Sequence, residues 1–182
     1  MDSKRVKDLM VPLDEYPTVG EGATLVEAID ALDQAQNILP PGRQPYRAVL
    51  VVNANRKVIG KIGQLALLNA LEPKYNVLGD LGRLSQAGVS SEFIDSMMDH
   101  LRLFQDDLSV LCARAGTLKV TDVMHPVTES IAEDAPLKEA INKLVTLQTL
   151  SLLVTRGKDV VGLIRLSELA DEIASQIKQF ST

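Results

Sequence analysis

The chain of 182 residues has no tryptophan, and aromatic residues make up only 3% of it. It has one cysteine, Cys112, and two histidines, His100 and His125. Basic residues are outnumbered: 19 Lys and Arg stand against 24 Asp and Glu, a formal net charge of −5. No apolar run approaches the roughly 18–20 residues that a membrane span requires.

Each shortage excludes a class. One cysteine forms no internal disulfide, which fits a reducing cytoplasm. One thiol and two distant imidazoles give no metal-ligand spacing. An acidic chain poor in aromatics offers neither the clustered cations nor the stacking platforms that nucleic acids need. The opening "MDSKRVKDLMVP" has no apolar signal core, so a cytoplasmic protein without a membrane partner is expected. GxSxG, the P-loop, GxGxxG and a spaced acidic pair are all missing. Cys112 has no nameable base beside it, which makes it a packing residue. His100 reads as a solvated helix residue. No enzyme activity, cofactor or metal is expected.

What the chain has is aliphatic character and a repeat. Hydrophobic residues total 46%, ordinary for a globular protein. The length suits one domain or two small packed halves. "VKDLM" at Val6–Met10 returns as "VTDVM" at Val120–Met124, 114 positions on. A five-residue echo means little unless the residues after each copy also repeat.

They do. After the first pentapeptide, Leu25, Ile29 and Leu32 mark one face of a helix. Thr24 and Glu27 stand at capping-box spacing before it. The apolar run Ala48–Val52 reads as a buried strand, "NANRK" as a turn, Val58–Ile62 as a strand and Gln64–Leu71 as a helix. After the second pentapeptide come a helix with Leu137, Ile141 and Leu144 on one face, then strands Leu150–Thr155 and Val160–Ile164. Pro136 occupies a first helical position. A closing helix carries Leu166, Leu169, Ile173 and Ile177 in one stripe.

"LVEAI" and "LKEAI" are 112 apart, whereas Gly60 and Gly162 are 102 apart. The first copy therefore carries ten extra residues, in "NILPPGRQPY" at 37–46, whose prolines and glycine make a loop. Residues 73–117 belong to neither copy. "NVLGDLGRLSQAG" reads as a short helix ended by Gly88. The next stretch reads as one longer helix capped by Ser90 or Ser91, with Phe93, Met97, Leu101, Phe104, Leu108 and Leu111 along one stripe. That stripe must be covered by its own module, by a second copy or by another protein.

Each half resembles a CBS motif, and two in tandem resemble a CBS pair, or Bateman module. The resemblance covers residues 4–72 and 118–180, with 73–117 as a helical insert. It implies an α/β (α+β) fold: two β-α-β-β-α motifs packed about a pseudo-twofold axis, commonly forming a homodimer. It also implies an adenosyl ligand in the cleft between motifs. In such pairs a Gly-hydrophobic-x-Thr/Ser-x-x-Asp segment follows the last strand. Its hydroxyl and helix start hold phosphate, and its carboxylate holds a ribose diol.

Set against that pattern, the first copy reads Gly60-Lys61-Ile62-Gly63-Gln64-Leu65-Ala66. Gly63 and Ala66 lack both polar roles. Lys61 can meet a phosphate, though an exposed surface lysine is the ordinary reading. The second copy reads Gly162-Leu163-Ile164-Arg165-Leu166-Ser167-Glu168. Glu168 can accept a diol, Arg165 offers a planar fork to phosphate, and Ser167 adds a hydroxyl. Equally, Arg165 and Glu168 make an ordinary solvated ion pair at helical spacing. Thr128 and Ser130 follow the second pentapeptide, where family clefts also take contacts or where a turn or strand residue simply sits. The resemblance thus implies a regulatory sensor of an adenine nucleotide or S-adenosylmethionine, acting on a protein target on another chain. The alternative is a ligand-free dimeric scaffold.

Overall fold

A computed structural model describes residues 4–74, 87–103, 105–127 and 129–180. The strands are β1 (Val11–Pro12), β2 (Thr18–Gly20), β3 (Ala48–Val52), β4 (Val58–Gly63), β5 (His125–Pro126), β6 (Ser130–Ala132), β7 (Ser151–Arg156) and β8 (Asp159–Arg165). The helices are α1 (Leu25–Asn37), α2 (Gln64–Asn69), α3 (Ser91–Leu101), α4 (Leu108–Gly116), α5 (Val120–Val123), α6 (Leu137–Leu147) and α7 (Leu166–Phe180).

Two four-stranded sheets form, in the orders β2-β3-β4-β5 and β6-β7-β8-β1. Within each, a parallel pair is joined through a helix and an antiparallel pair through a tight turn, as the strand directions require. Both turns place one residue in the left-handed region: Arg56 at φ 59° and Gly157 at φ 62°. At the first turn the Asn53 side chain accepts from the amides of Asn55 and Lys57, both at 3.0 Å.

The fourth strand of each sheet comes from the other half. β1 pairs with β8, Val11 opposite Leu163, and β5 pairs with β4, His125 opposite Lys61. The repeated pentapeptides are the hooks that make this exchange. Val6 N–H donates to Ala135 O at 3.0 Å, and Val120 N–H donates to Ala23 O at 2.9 Å. Val6 is buried in the core of the second half, and Val120 in the core of the first. The sequence limits 4–72 and 118–180 are continuous along the chain, but in packing each half begins inside its partner. A third core lies between the sheets, built from Val11, Tyr16, Tyr46, Leu50, Leu153 and Leu163. Burying apolar faces of both halves in common favours the pair over either half alone.

The cap on α1 forms as its sequence requires. Thr24 Oγ1 accepts from Glu27 N–H at 3.4 Å, and Glu27 Oε2 accepts from Thr24 N–H at 2.6 Å. Pro136 is the N-cap of α6, one place ahead of the expected first helical position, with extended ψ of 149°. In the insert, the expected single long helix is two. Arg102 ends α3 in the left-handed conformation at φ 47°, and Asp107 begins α4. The run Gln105-Asp106-Asp107 is polar, so apolar spacing continues across it while the helix does not. Ser90 is the cap of α3, accepting from Phe93 N–H at 3.3 Å. Leu111 and Ala115 of α4 are buried, Ala115 in the core of the first half, whereas Phe93 and Leu108 stand exposed. The short helix expected before Gly88 and the Phe104 side chain lie outside the described residues.

Candidate functional site

The end of β8 and the start of α7 bring Arg165, Ser167 and Glu168 together. The Arg165 guanidinium grips the Glu168 carboxylate with two donors, one of them Nε to Oε2 at 2.9 Å. Ser167 Oγ donates to the same Oε2 at 3.0 Å. The pair is not solvated: the side chains are only 10% and 17% exposed.

Arg165 also reaches into the first half. It donates to Pro45 O at 3.0 Å and to Gln44 O at 3.4 Å, and its Cζ lies 5.7 Å from the centre of the Tyr46 ring, within cation–π range. Gln44, Pro45 and Tyr46 end the ten-residue excursion of the first copy. Other contacts fix that loop. Gln44 donates to Asp171 at 2.7 Å, Tyr46 OH donates to Glu15 O at 2.7 Å, and Gln36 holds the Tyr46 backbone. Tyr16 packs edge-on against Tyr46 with centroids 5.1 Å apart, and burial pushes its phenol up to about 12. The excursion is a strap laid over the Arg165–Glu168 corner, and its carbonyls occupy the guanidinium.

In the first half Gly63 stands where Arg165 stands in the second, and Lys61 matches Leu163; Lys61 is half-buried, not an exposed surface lysine. Its ammonium crosses to the second half and donates to Ser151 Oγ at 2.9 Å, with Ser151 O at 3.4 Å and Thr149 Oγ1 at 3.5 Å. Burial holds its pKa below the ordinary lysine value.

The remaining sequence candidates do not join either group. Gly162 sits three residues before Arg165, pressed by Val11 O and Met10 Sδ, so its role here is close packing. Ser130 is exposed at the start of β6, where its carbonyl accepts from Lys143 Nζ at 2.9 Å. Thr128 lies outside the described residues. Sequence reasoning missed Thr149, Ser151, Tyr16 and Tyr46. The only signal for Tyr46 was the length of the excursion, and nothing marked the hydroxyls. Two cavities, of about 270 and 240 Å³, lie beside the insert and α2, and neither is lined by Lys61, Arg165 or Glu168. Among the described residues no group of His, Cys, Asp or Glu is placed to hold a metal ion.

A paired four-stranded architecture with exchanged edge strands defines a tandem β-α-β-β-α module. The family model for the CBS domain matches residues 6–73 and 120–175, so the chain belongs to the CBS-domain family. Solved structures agree in fold. A CBS domain-containing protein of unknown function from Bacillus anthracis shares 15% identity at a TM-score of 0.63, over 96% of this chain and 95% of that one. CBSX2, solved in complex with AMP, shares 16% at 0.59, over 97% and 99%. The CBS domain of a membrane protein from Sphaerobacter thermophilus shares 16% at 0.60, over 94% and 88%. No curated protein matches the chain.

Proposed function

We propose that the protein is a regulatory module, not an enzyme. It binds an adenosyl ligand of the AMP, ADP, ATP or S-adenosylmethionine class between its motifs and reports occupancy through the geometry of a homodimer. Its target lies on another chain. The observation that carries this reading is the exchange of polar groups across the seam: Lys61 of the first motif reaches Ser151 of the second, and Arg165 of the second reaches Pro45 of the first. A ligand bound there touches both halves, so it favours one arrangement by its differential affinity for the two. The AMP bound by CBSX2 is consistent with that ligand class. At the Arg165–Glu168 corner, a ligand must first displace the strap.

Dimerisation is supported by apolar side chains standing in solvent, among them Leu65 and Leu68 on α2 and Leu166 and Ile177 on α7. The reading includes a cytoplasmic setting, for which the lone Cys112 is the support. Among the described residues no helix is long and apolar enough to cross a membrane. A ligand-free scaffold is the second reading, favoured by Gly63, Ala66 and the strap over Arg165.

A thermal-shift panel of AMP, ADP, ATP, S-adenosylmethionine, NAD and cyclic dinucleotides separates the two. A ligand at about 100 times its dissociation constant adds about 2.7 kcal/mol, a rise of roughly 5–10 °C for a chain of this size. A flat panel with an intact dimer supports the scaffold.

A further inference from the structure

We infer that the excursion of the first copy is an autoinhibitory cover: its outer part, residues 40–45, holds the Arg165–Glu168 corner shut, and a small molecule reaches that corner only when this part lifts. The inference rests on the proposed ligand between the motifs and adds what controls its entry.

The two copies make the same connection at very different lengths. Residues 148–150 suffice between α6 and β7, whereas residues 38–47 run between α1 and β3. The additional chain is not needed to close its own motif, and it is laid on the other half. Arg43 pairs with Glu15 at 2.7 Å beside that corner, Gln44 donates to Asp171 at 2.7 Å, and the Gln44 and Pro45 carbonyls accept from Arg165. With these contacts in place the corner has nothing left to offer. Every guanidinium nitrogen of Arg165 has an acceptor, and both carboxylate oxygens of Glu168 have donors.

The cover has a stiff tip and a fixed root. Arg43 N–H donates to Pro40 O at 3.3 Å across Pro41 and Gly42, with Gly42 at φ 82°, a turn that a Pro-Gly centre favours. That turn and the ring of Pro45 restrict the tip, so it lifts as a piece. Tyr46 is the root, buried in the core between the sheets with its backbone held by Gln36. Residues 40–45 are all exposed. The contacts that hold them are hydrogen bonds and an ion pair, which water replaces when they open. Nor does lifting strand a charge, because Glu168 still grips Arg165 after the carbonyls leave. The corner thus opens by breaking exchangeable contacts while its buried ion pair stays intact.

The test compares the 182-residue chain with two variants. In one, residues 36–47 are replaced by Gln-Thr-Leu, the sequence at 148–150. The other, Arg43→Ala with Gln44→Ala, keeps Tyr46 and the core. Mass spectrometry times phenylglyoxal modification of Arg165 against exposed Arg56, and calorimetry measures AMP affinity. In the shortened chain Arg165 should react at least roughly tenfold faster than in the wild type, as loss of the covering hydrogen bonds implies. AMP should bind that chain at least roughly tenfold tighter, because a closed population no longer reduces its apparent affinity. Smaller changes in the same directions are expected of the double variant, which decides alone if the shortened chain fails to fold. Unchanged Arg165 reactivity overturns the cover. Faster reaction with equal AMP affinity in all chains also overturns it, while adenosyl binding stands at another place. Faster reaction with no AMP bound by any chain removes AMP as the ligand and keeps the cover, phenylglyoxal itself being a small molecule that the strap excludes.

Discussion

Met10 presses on Gly162 as Met124 presses on Gly60. A Cβ built on Gly162 would lie 3.1 Å from Met10 Sδ, and one on Gly60 would collide with Met124 Sδ. The last residue of each repeated pentapeptide thus packs against the glycine of the other motif's final strand. That contact explains why the methionine and the glycine both recur.

The two glycines differ in what else stands over them, and their alanine variants should differ too. At Gly162 the nearest atom is the Val11 carbonyl oxygen, at 2.5 Å, held by strand pairing. At Gly60 the nearest atoms belong to the flexible Met124 side chain. Each alanine should cost about 1–3 kcal/mol by overpacking. Adding Met124→Ala to Gly60→Ala should recover part of the loss, whereas adding Met10→Ala to Gly162→Ala should recover little. Urea denaturation of the four variants checks this.

Arg165 ties strap to strand, so Arg165→Met should lower stability by about 2–4 kcal/mol, leaving Glu168 uncompensated and the Gln44 and Pro45 carbonyls unpaired. The double variant Arg165→Met with Glu168→Met should lose less. Equilibrium denaturation measures both, and proteolysis within residues 39–46 should accelerate in each.

Tyr16 should govern stability at high pH. Its phenol ionises near 12 in the folded protein because of burial, against about 10 for an exposed tyrosine. Between those values the folded state holds a proton that the unfolded state has lost, so stability falls as pH rises through that window. The loss should reach about 2–3 kcal/mol. Tyr16→Phe should flatten it, as denaturation midpoints at several alkaline pH values would show.

If α2 and α7 form the dimer face, Leu65→Glu with Leu68→Glu should yield monomers at concentrations where the wild type is dimeric. Light scattering reads the mass directly. An unchanged dimer would move the interface elsewhere, with exposed Phe93 of α3 the next surface to test.

The fold was legible in the sequence because burial imposes periodicity on strands and helices, and two copies of one pattern reinforce each other. The exchange of edge strands was not legible, because β1 and β5 are two residues long and carry no period. The insert misled because Leu101, Leu108 and Leu111 keep helical spacing across a break that only the polar run at 105–107 announces. At the candidate site, the Arg165–Glu168 pair was legible as an i, i+3 couple. Its burial was not, since that depends on a strap arriving from 120 residues away. Lys61 read as a surface residue because register, not local sequence, turns it toward the seam.

The most direct measurement is a crystal structure of the protein grown with AMP. AMP is expected between the two motifs, touching residues of both. A seam that stays empty at saturating AMP would contradict the reading of this module as an AMP sensor.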